Sequence, residues 1–191
     1  MAHFTSSKTQ QSSAPPPTVS RWVDELGKNQ ALDTVSAPLR PLAKIFTKNN
    51  SVRNALKGNF MGHALHPLLT DLPMGFWMSA LTLDFVSPRA SKRASQRLTG
   101  LGILSAVPTA AAGLVEWSET ASEDSRIGAV HAMGNTVALT AFIASYLCRR
   151  RGRVGRGRVL GLAGGAVLAA SGFLGGHLAI ARKVGSHTTS N

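Results

Sequence analysis

The sequence contains a single cysteine, Cys148, among its 191 residues. One thiol forms no disulfide within the chain, and it cannot supply the several thiolates used by iron–sulfur clusters and Cys-based zinc sites. Charged residues are also scarce, at 16% of the chain, whereas apolar residues make up 43%. From residue 67 onward, long apolar segments alternate with short charged ones. This pattern is typical of an integral membrane protein rather than a soluble globular one.

Acidic residues are few, 9 against 21 basic ones, and the formal net charge is +12. Such a charge suggests nucleic-acid binding, but the basic runs lack the interleaved aromatic residues on which bases stack. Six arginines lie in RRRGRVGRGR and four basic residues in SPRASKRASQR, each run between two apolar segments. Basic residues that flank membrane spans indicate topology first. We therefore expect no nucleic acid among the partners.

The first 60 residues contain no long apolar run. Because the first 20 have no apolar core and no cleavage signature, we expect that they are not a signal peptide. Residues 1–20 are rich in Ser, Thr, Gln and Pro, a composition typical of a disordered tail. Residues 21–60 contain short amphipathic stretches in which basic residues lie beside apolar ones such as Trp22 and Ile45. These features favour equally a segment that lies on the membrane surface and a loosely ordered linker.

Four apolar segments of about 20 residues predict four membrane-spanning helices, because that length crosses a hydrocarbon core of about 30 Å. The segments cover residues 67–86, 98–116, 128–148 and 159–181. Their short connections predict an all-α fold, an antiparallel four-helix bundle over residues 61–185. In the fourth segment the pairs Gly161/Gly165 and Gly172/Gly176 let another helix approach closely, so this helix is also the candidate contact of a homo-oligomer.

The predicted loops differ sharply in charge. The loops after the first and third spans hold ten Lys or Arg residues and no acid, whereas the loop after the second holds Glu119, Glu123 and Asp124 with one arginine. The positive-inside rule therefore predicts a multi-pass protein of the cell membrane with its basic loops in the cytoplasm. Both termini then lie outside.

Polar residues of the apolar region gather near the predicted outer ends of the four helices. They are, in chain order, His63, His66, Asp71, Glu116, His131, Asn135 and His177. Helix order alone places them at similar depth beneath one membrane face, with every helix contributing. His131 and Asn135 are four residues apart and share one face of their helix.

Histidines that reach one depth from separate helices are candidate ligands of a haem or a metal ion, because imidazole binds both. The candidates are His63, His66, His131 and His177, with Asp71, Glu116 and Asn135 as groups that orient the rings. The same side chains suit a proton relay or hydrogen bonds between helices. His63 and His66 also suit the headgroup region, and Asp71 suits a helix cap.

Three segments resemble one bacterial membrane family. They are GHALHPLLTDLPMGFWMSALTLDF, AAGLVEWSETASEDSRIGAVHAMGNTVAL and GFLGGHLAI. They resemble the domain-of-unknown-function 2231 family, in particular its actinobacterial branch, whose members are often joined to a Rieske iron–sulfur module. The resemblance covers about residues 52–183 and rests on the motifs at 62–67, 71–75 and 175–178. It implies a four-helix membrane domain linked to electron transfer, with motif histidines at His63, His66, His131 and His177.

The chain departs from this family pattern after Leu178. Relatives commonly continue with a tyrosine and a V-G-V stretch, whereas here the sequence reads AIARKVGSHTTSN. A Rieske domain needs more cysteine than the chain has. We therefore expect any iron–sulfur partner to be a separate protein.

The leading hypothesis is a non-enzymatic membrane component of electron transfer or of its assembly, binding haem or metal through its histidines. A single histidine layer allows one haem at most. The alternatives are a structural membrane subunit and a small proton-linked transporter without cofactor. Charged residues at mid-membrane, which transporters commonly use, are missing from the apolar segments. The sequence contains no nucleophile–base pair within a supporting motif, so we do not expect an enzyme.

Overall fold

The computed structural model describes residues 18–185, and every regular element in this range is helical. Four short helices come first: α1 (Thr18–Lys28), α2 (Asp33–Ser36), α3 (Leu39–Thr47) and α4 (Asn50–Lys57). Four long helices follow: α5 (Leu65–Val86), α6 (Lys92–Trp117), α7 (Ser122–Arg150) and α8 (Val154–Gly176). One π-helical turn, His177–Ala181, continues α8. The predicted all-α class is confirmed.

Three of the long helices are long and apolar enough to cross a membrane: α6, α7, and α8 with its π-helical turn. The predicted first span corresponds to α5, which has 22 residues but does not belong to this group of three. Polar residues explain the difference, because His66, Asp71 and Asp84 interrupt its apolar sequence. A crossing by α5 stays a prediction.

The long helices pack as two antiparallel hairpins, α5 with α6 and α7 with α8. Near the start of α5, His66 reaches Thr109 late in α6, and near its end Asp84 reaches Ser95 early in α6. The second hairpin is joined in the same way, by His131 to Ser171 and by Ser145 to Gly157. Contacts of α6 with α7 and of α5 with α8 bring the two hairpins together.

An apolar layer occupies the middle of the long helices. The Trp77 indole stacks on the Phe142 ring, with centroids 4.1 Å apart and planes within 5° of parallel. The indole Nε1 donates to the carbonyl of Thr99, 3.3 Å away. Gly102 makes room for it, since a Cβ at this position would overlap the indole. Trp77 is therefore a packing residue.

The glycines of α8 serve two different surfaces. A Cβ at Gly161 or Gly165 would lie 3.3 or 2.9 Å from the Leu81 side chain of α5, so this pair is used inside the chain. A Cβ at Gly172 or Gly176 would meet nothing within 4 Å. Only the second pair is thus available to the predicted contact with another copy.

The short helices cover the end of the long helices where α6 ends and α7 begins. Val23 of α1 is buried against Ile127 of α7 and Leu178 of the π-helical turn. Helix α2 also contacts α7, while α3 and α4 contact α6. Residues 21–60 are thus helical and packed, and their position on a membrane surface stays a prediction. Most of the predicted disordered tail, residues 1–17, lies outside the described range.

Local signals in the sequence set the bounds of α4. The Asn49 side chain accepts hydrogen bonds from the amides of Ser51 and Val52, which caps the first turn. Gly58 ends the helix with a φ of +80°, a conformation that favours glycine. A Cβ there would also overlap the carbonyl of His63. The chain therefore turns sharply between α4 and the start of α5.

Candidate functional site

Two histidines from different hairpins meet between the long helices. The rings of His66 in α5 and His131 in α7 lie edge to face, with centroids 6.4 Å apart and planes at 80°. We call them, with their hydrogen-bond partners Thr109, Asn135 and Ser171, the histidine layer. Each side chain of the layer is buried or half-buried. The layer lies toward the end of the long helices that carries the loop between α6 and α7.

His66 joins α5 to α6. Its Nδ1 lies 2.9 Å from the carbonyl oxygen of Thr109. Because a carbonyl only accepts, Nδ1 carries a proton, and in the neutral ring Nε2 keeps a lone pair. The Thr109 hydroxyl shares its one hydrogen between the carbonyl of Leu69 in α5, 3.1 Å away, and that of Ser105 in its own helix, 2.9 Å away. The His66 bond, with this second contact, sets the depth of α5 against α6.

His131 joins α7 to α8 through a denser set of bonds. Its Nδ1 donates to the carbonyl of Ser171 at 2.7 Å, which fixes the tautomer. Nε2 then accepts from Nδ2 of Asn135 at 2.9 Å. The Ser171 hydroxyl lies 2.9 Å from both the Asn135 side-chain oxygen and the carbonyl of His131. Both ring nitrogens of His131 are thus engaged.

Glycines on the neighbouring helices make room for both imidazoles. A Cβ at Gly113 of α6 would lie 2.8 Å from Cε1 of His66, and a Cβ at Gly175 of α8 would lie 2.6 Å from Cε1 of His131. Real side chains do not approach so closely, so these positions need glycine. The motif at 175–178 thus provides the glycine against which His131 packs, as well as the histidine at 177.

His177 lies apart from the histidine layer and faces α1. Its Nε2 is buried without a hydrogen-bond partner and lies 3.8 Å from an oxygen of Asp24. Asp24 itself accepts from Arg182 at 2.7 Å. His177 therefore belongs to the contact between the long helices and the N-terminal segment, a contact that helix depth alone did not reveal.

His63 and Asp71 are exposed on the outside of the long helices. Together with residues that include Ala179 and Val184 they line an open groove of about 470 Å³. Glu116 lies elsewhere, beside Gly185, in a second depression of about 230 Å³ that also involves Asp124. Of the seven residues predicted to share one layer, the structure brings together His66, His131 and Asn135.

The arrangement does not fit a haem clamped between His66 and His131. An axial imidazole offers its free ring nitrogen to iron, but the Nε2 lone pair of His131 already accepts a hydrogen bond from Asn135. Within residues 18–185, no three His, Cys, Asp or Glu side chains lie together as a metal site requires. The donor set present is therefore that of an interhelical network.

A buried ion pair at the opposite end of the long helices was missed by the sequence reasoning. Arg149 of α7 and Asp84 of α5 form two parallel hydrogen bonds, at 2.6 and 3.0 Å, with side chains only 2% and 6% exposed. Ser95 of α6 bonds to both partners. Ser145 receives a bond from Nε of Arg149 and donates to the carbonyl of Gly157 in α8.

The sequence did contain a signal for this pair. Asp84 lies two residues before the end of α5, and Arg149 lies one residue before the end of α7. When consecutive helices alternate in direction, α5 and α7 run the same way, so their C-terminal ends lie on the same side of the bundle. In the structure Asp84 forms a buried ion pair with Arg149, while Nε of Arg158 lies 3.5 Å from it.

Ion pairs also fasten the N-terminal segment to the α6–α7 end. Glu119 binds Arg53 and Lys57 of α4, both at 2.6 Å. Partial burial acts to raise the pKa of Glu119, but the hydrogen bonds from Lys57 and Arg53 outweigh it and hold the pKa below its ordinary value. Asp33 is paired with Arg126, whose hydrogen bond lowers the pKa of that carboxyl.

Trp117, the last residue of α6, packs against the start of α7. Its Nε1 donates to the carbonyl of Ser125 at 2.8 Å, and its ring packs where a Cβ at Gly128 would lie 2.7 Å from Cδ1. Trp117 therefore packs between the end of α6 and the start of α7.

The comparison with protein families gives one match. The family described as a predicted membrane protein, DUF2231, matches residues 62–188, which is about two thirds of the chain. No curated protein and no solved structure matches the chain. The matched range begins just before α5 and includes both the histidine layer and the buried ion pair.

Proposed function

Because the chain belongs to the predicted membrane protein family DUF2231, we propose that it is a non-enzymatic membrane subunit whose histidine layer holds four crossing helices in one antiparallel bundle. The observation that carries this proposal is the paired bonding of His66 and His131. Each Nδ1 donates to a backbone carbonyl of the neighbouring helix. In a membrane, polar side chains that bond between helices contribute to their association.

The environment of α5 supports its inclusion as a fourth crossing helix. Two of its three interrupting polar residues are paired inside, His66 with Thr109 and Asp84 with Arg149. Its large exposed side chains are mostly apolar: Leu68, Leu72, Met74, Met78, Phe85 and Val86. A surface of this composition suits lipid contact, since polar groups in hydrocarbon need internal partners.

The charge of the loops gives the proposed orientation. The strongly basic loops after α5 and α7 belong in the cytoplasm under the positive-inside rule, and the α6–α7 loop then lies outside. In this orientation the histidine layer lies near the outer face and the Asp84–Arg149 pair near the inner one. Both termini are outside, and Gly172 with Gly176 forms the face offered to another copy.

The competing proposal is a redox component that binds a haem or metal ion, or that serves a separate iron–sulfur protein. The proximity of the His66 and His131 rings favours this redox proposal. The engaged Nε2 of His131 disfavours it, because ligation would require the Asn135 bond to break. Proton-linked transport is disfavoured by the apolar layer of Trp77 and Phe142 between the two polar layers.

An optical measurement on purified protein separates these proposals. The protein is extracted in detergent, and its absorption is recorded oxidised and after dithionite reduction. We expect no Soret band, and we expect His131→Ala to lower the free energy of unfolding by about 1 to 3 kcal/mol, because the carbonyl of Ser171 loses its donor.

His63→Ala is the matched control, since this histidine is exposed and lies outside the layer. Its melting temperature should equal that of the unmodified protein. A Soret band that disappears in His131→Ala would establish the redox proposal instead. A His131→Ala variant as stable as the control would show that the layer does not hold the bundle.

A further inference from the structure

We infer that α3 and the start of α1 form a surface anchor that binds the anionic phospholipid headgroups of the bilayer crossed by the long helices. The anchor comprises α3 with Lys48, which follows it, and Val19 and Trp22 of α1. This inference goes beyond the proposed function, because it assigns a lipid-binding role to a segment outside the long helices.

The anchor lies at the level where the long helices end. Helix α1 is held by the Val23–Ile127–Leu178 contact, at the start of α7 and just after α8. Helix α4 is held by Glu119, directly after α6. Helix α3 lies between these attachments in the chain and contacts α6 itself. A segment at the ends of membrane-crossing helices lies at headgroup depth.

The exposed half of α3 is divided into an apolar edge and a basic edge. Ala43 is buried and marks the side that faces the protein. Leu42 and Ile45, three residues apart, are 47% and 68% exposed on one side of that contact. Arg40, Lys44 and Lys48 recur every four residues and form a stripe along another side. A helix so divided can bury one edge in the acyl boundary and keep the other among headgroups.

Helix α1 adds a second apolar contact. Trp22 is 76% exposed and Val19 lies three residues before it on the same helical face, also exposed. The neighbouring side of α1 is already occupied, since Val23 and Gly27 contact α7. Tryptophan is enriched at membrane interfaces, where its ring suits the boundary between headgroups and acyl chains.

The charge of the anchor identifies an anionic partner. Among the ion pairs formed within residues 18–185, Arg53 and Lys57 of α4 are matched by Glu119, but Lys44 and Lys48 enter none. Two cations beside exposed apolar side chains complement lipid phosphate and negatively charged headgroups. A basic residue near an anionic surface changes membrane partition by roughly fivefold.

The test places a fluorescent probe on each edge of α3 in the full chain. Cys148→Ser removes the native thiol, and Ile45→Cys or Lys48→Cys supplies a single site for an environment-sensitive nitrobenzoxadiazole label. Each protein is reconstituted in nanodiscs of phosphatidylcholine, with or without phosphatidylglycerol. Quenching by lipids that carry a spin label high on the acyl chain reports direct contact with lipid.

We expect the label at residue 45 to be quenched and that at residue 48 to remain in water, with quenching at 45 stronger when phosphatidylglycerol is present. Lys44→Gln in the Ile45→Cys protein should weaken that dependence on phosphatidylglycerol, consistent with a roughly fivefold loss of partition, while Lys48 retains the remainder. Equal melting temperatures of the labelled proteins show that the label leaves the fold intact.

Three results would overturn the anchor. The label at residue 45 could stay in water in both membranes, or its quenching could be the same with and without phosphatidylglycerol. It could also be shielded from water yet unaffected by spin-labelled lipid, which would indicate a second copy or another protein on this face. All three leave the bundle proposal intact, whereas loss of the protein from the nanodisc would contradict membrane insertion itself.

Discussion

At the scale of single residues, His66 and His131 show how an apolar helix accommodates imidazoles. Each donates from Nδ1 to a backbone carbonyl on the adjacent helix, and each packs against a glycine of that helix. The hydrogen bond removes the cost of burying a polar group, and the glycine lets the helices approach. We therefore expect Gly113 and Gly175 to tolerate substitution as poorly as the histidines that pack against them.

Two glycines of α8 test this restriction. Gly175→Ala should destabilise the protein, because its Cβ would lie 2.6 Å from Cε1 of a ring fixed by two hydrogen bonds. Overpacking of this kind costs about 1 to 3 kcal/mol. Gly172→Ala, on the same helix, has open space around its Cβ and should stabilise slightly, since alanine is the better helix former.

Thermal unfolding in one detergent compares the two variants directly. Gly175→Ala should melt below the unmodified protein and Gly172→Ala at or above it. Equal melting temperatures for both variants would mean that the His131 ring moves aside without loss, and that the layer is looser than its hydrogen bonds indicate.

At the scale of elements, the N-terminal helices are attached to the long ones by charge as much as by packing. Arg126 binds Asp33, Arg182 binds Asp24 and Asp124, and Glu119 binds two cations of α4. Burial acts to lower the pKa of Arg182, but the hydrogen bonds that it donates to Asp24 and Asp124 raise it overall. The attachment thus depends on carboxylates that lose their charge in acid.

Acid should loosen α4 first through Glu119. Its pKa is lowered in the folded protein, so its ion pairs contribute fully above the ordinary pKa of 4.5 and are lost as the pH falls through the lowered value. Because the pairs are largely at the surface, we expect less than about 1 kcal/mol from each. Hydrogen exchange of the α4 amides, followed downward from pH 6, measures this loss.

Glu119→Gln is the control for this prediction. It should raise α4 exchange near neutral pH and remove the part of the acid dependence that Glu119 contributes, while α8 amides stay protected. If α4 in Glu119→Gln kept the full acid dependence, another carboxylate would be responsible for its attachment.

Hydropathy predicted the long helices well but not where their helical turns begin. Helices α6 and α7 start at Lys92 and Ser122, in polar sequence ahead of the predicted apolar segments. Apolar content marks the part of a helix that contacts lipid, whereas backbone hydrogen bonding continues into the aqueous boundary. The bounds of membrane helices therefore need capping and loop information that hydropathy omits.

The candidate site was predictable to the extent that it depended on helix order. Depth placed His66 and His131 together, and the i+4 spacing added Asn135. Helix order did not distinguish His177 from the histidine layer, although its side chain faces Asp24 of α1. That contact depends on how the N-terminal segment packs, and no periodic pattern in the sequence specifies it.

At the scale of the whole molecule, two polar layers are separated by an apolar one. The histidine layer and the Asp84–Arg149 pair each join helices of both hairpins, and the Trp77–Phe142 stack lies between them. Such a sequence of layers suits a bundle whose ends are specified by polar contacts and whose middle is filled by packing. It also requires α5 to lie alongside the other three helices.

Cysteine labelling of intact cells tests the number of crossings. In a Cys148→Ser background, Asn59→Cys and Thr120→Cys should react with a membrane-impermeant maleimide added outside. Arg89→Cys and Arg153→Cys should react only after the cells are opened, because the basic loops are cytoplasmic.

The position of residue 59 relative to residue 89 decides the role of α5. If both react from the same side, α5 does not cross, and the bundle has three membrane-spanning helices with α5 beside them. If residues 120 and 153 react from the same side, α7 does not cross either; if all four sites react from the sides opposite to those expected, the orientation is inverted.

The buried pair of Asp84 and Arg149 has a consequence for how such sequences can change over evolutionary time. Loss of Asp84 leaves Arg149 without its counter-ion, and loss of Arg149 leaves Asp84 with only the longer contact to Arg158. Breaking a buried pair in this way costs about 3 to 5 kcal/mol, whereas replacing both partners by apolar residues is often neutral. Most single replacements at these sites are therefore disadvantageous until the second follows. Among descendants of one ancestor, positions 84 and 149 should be inherited or exchanged as a unit.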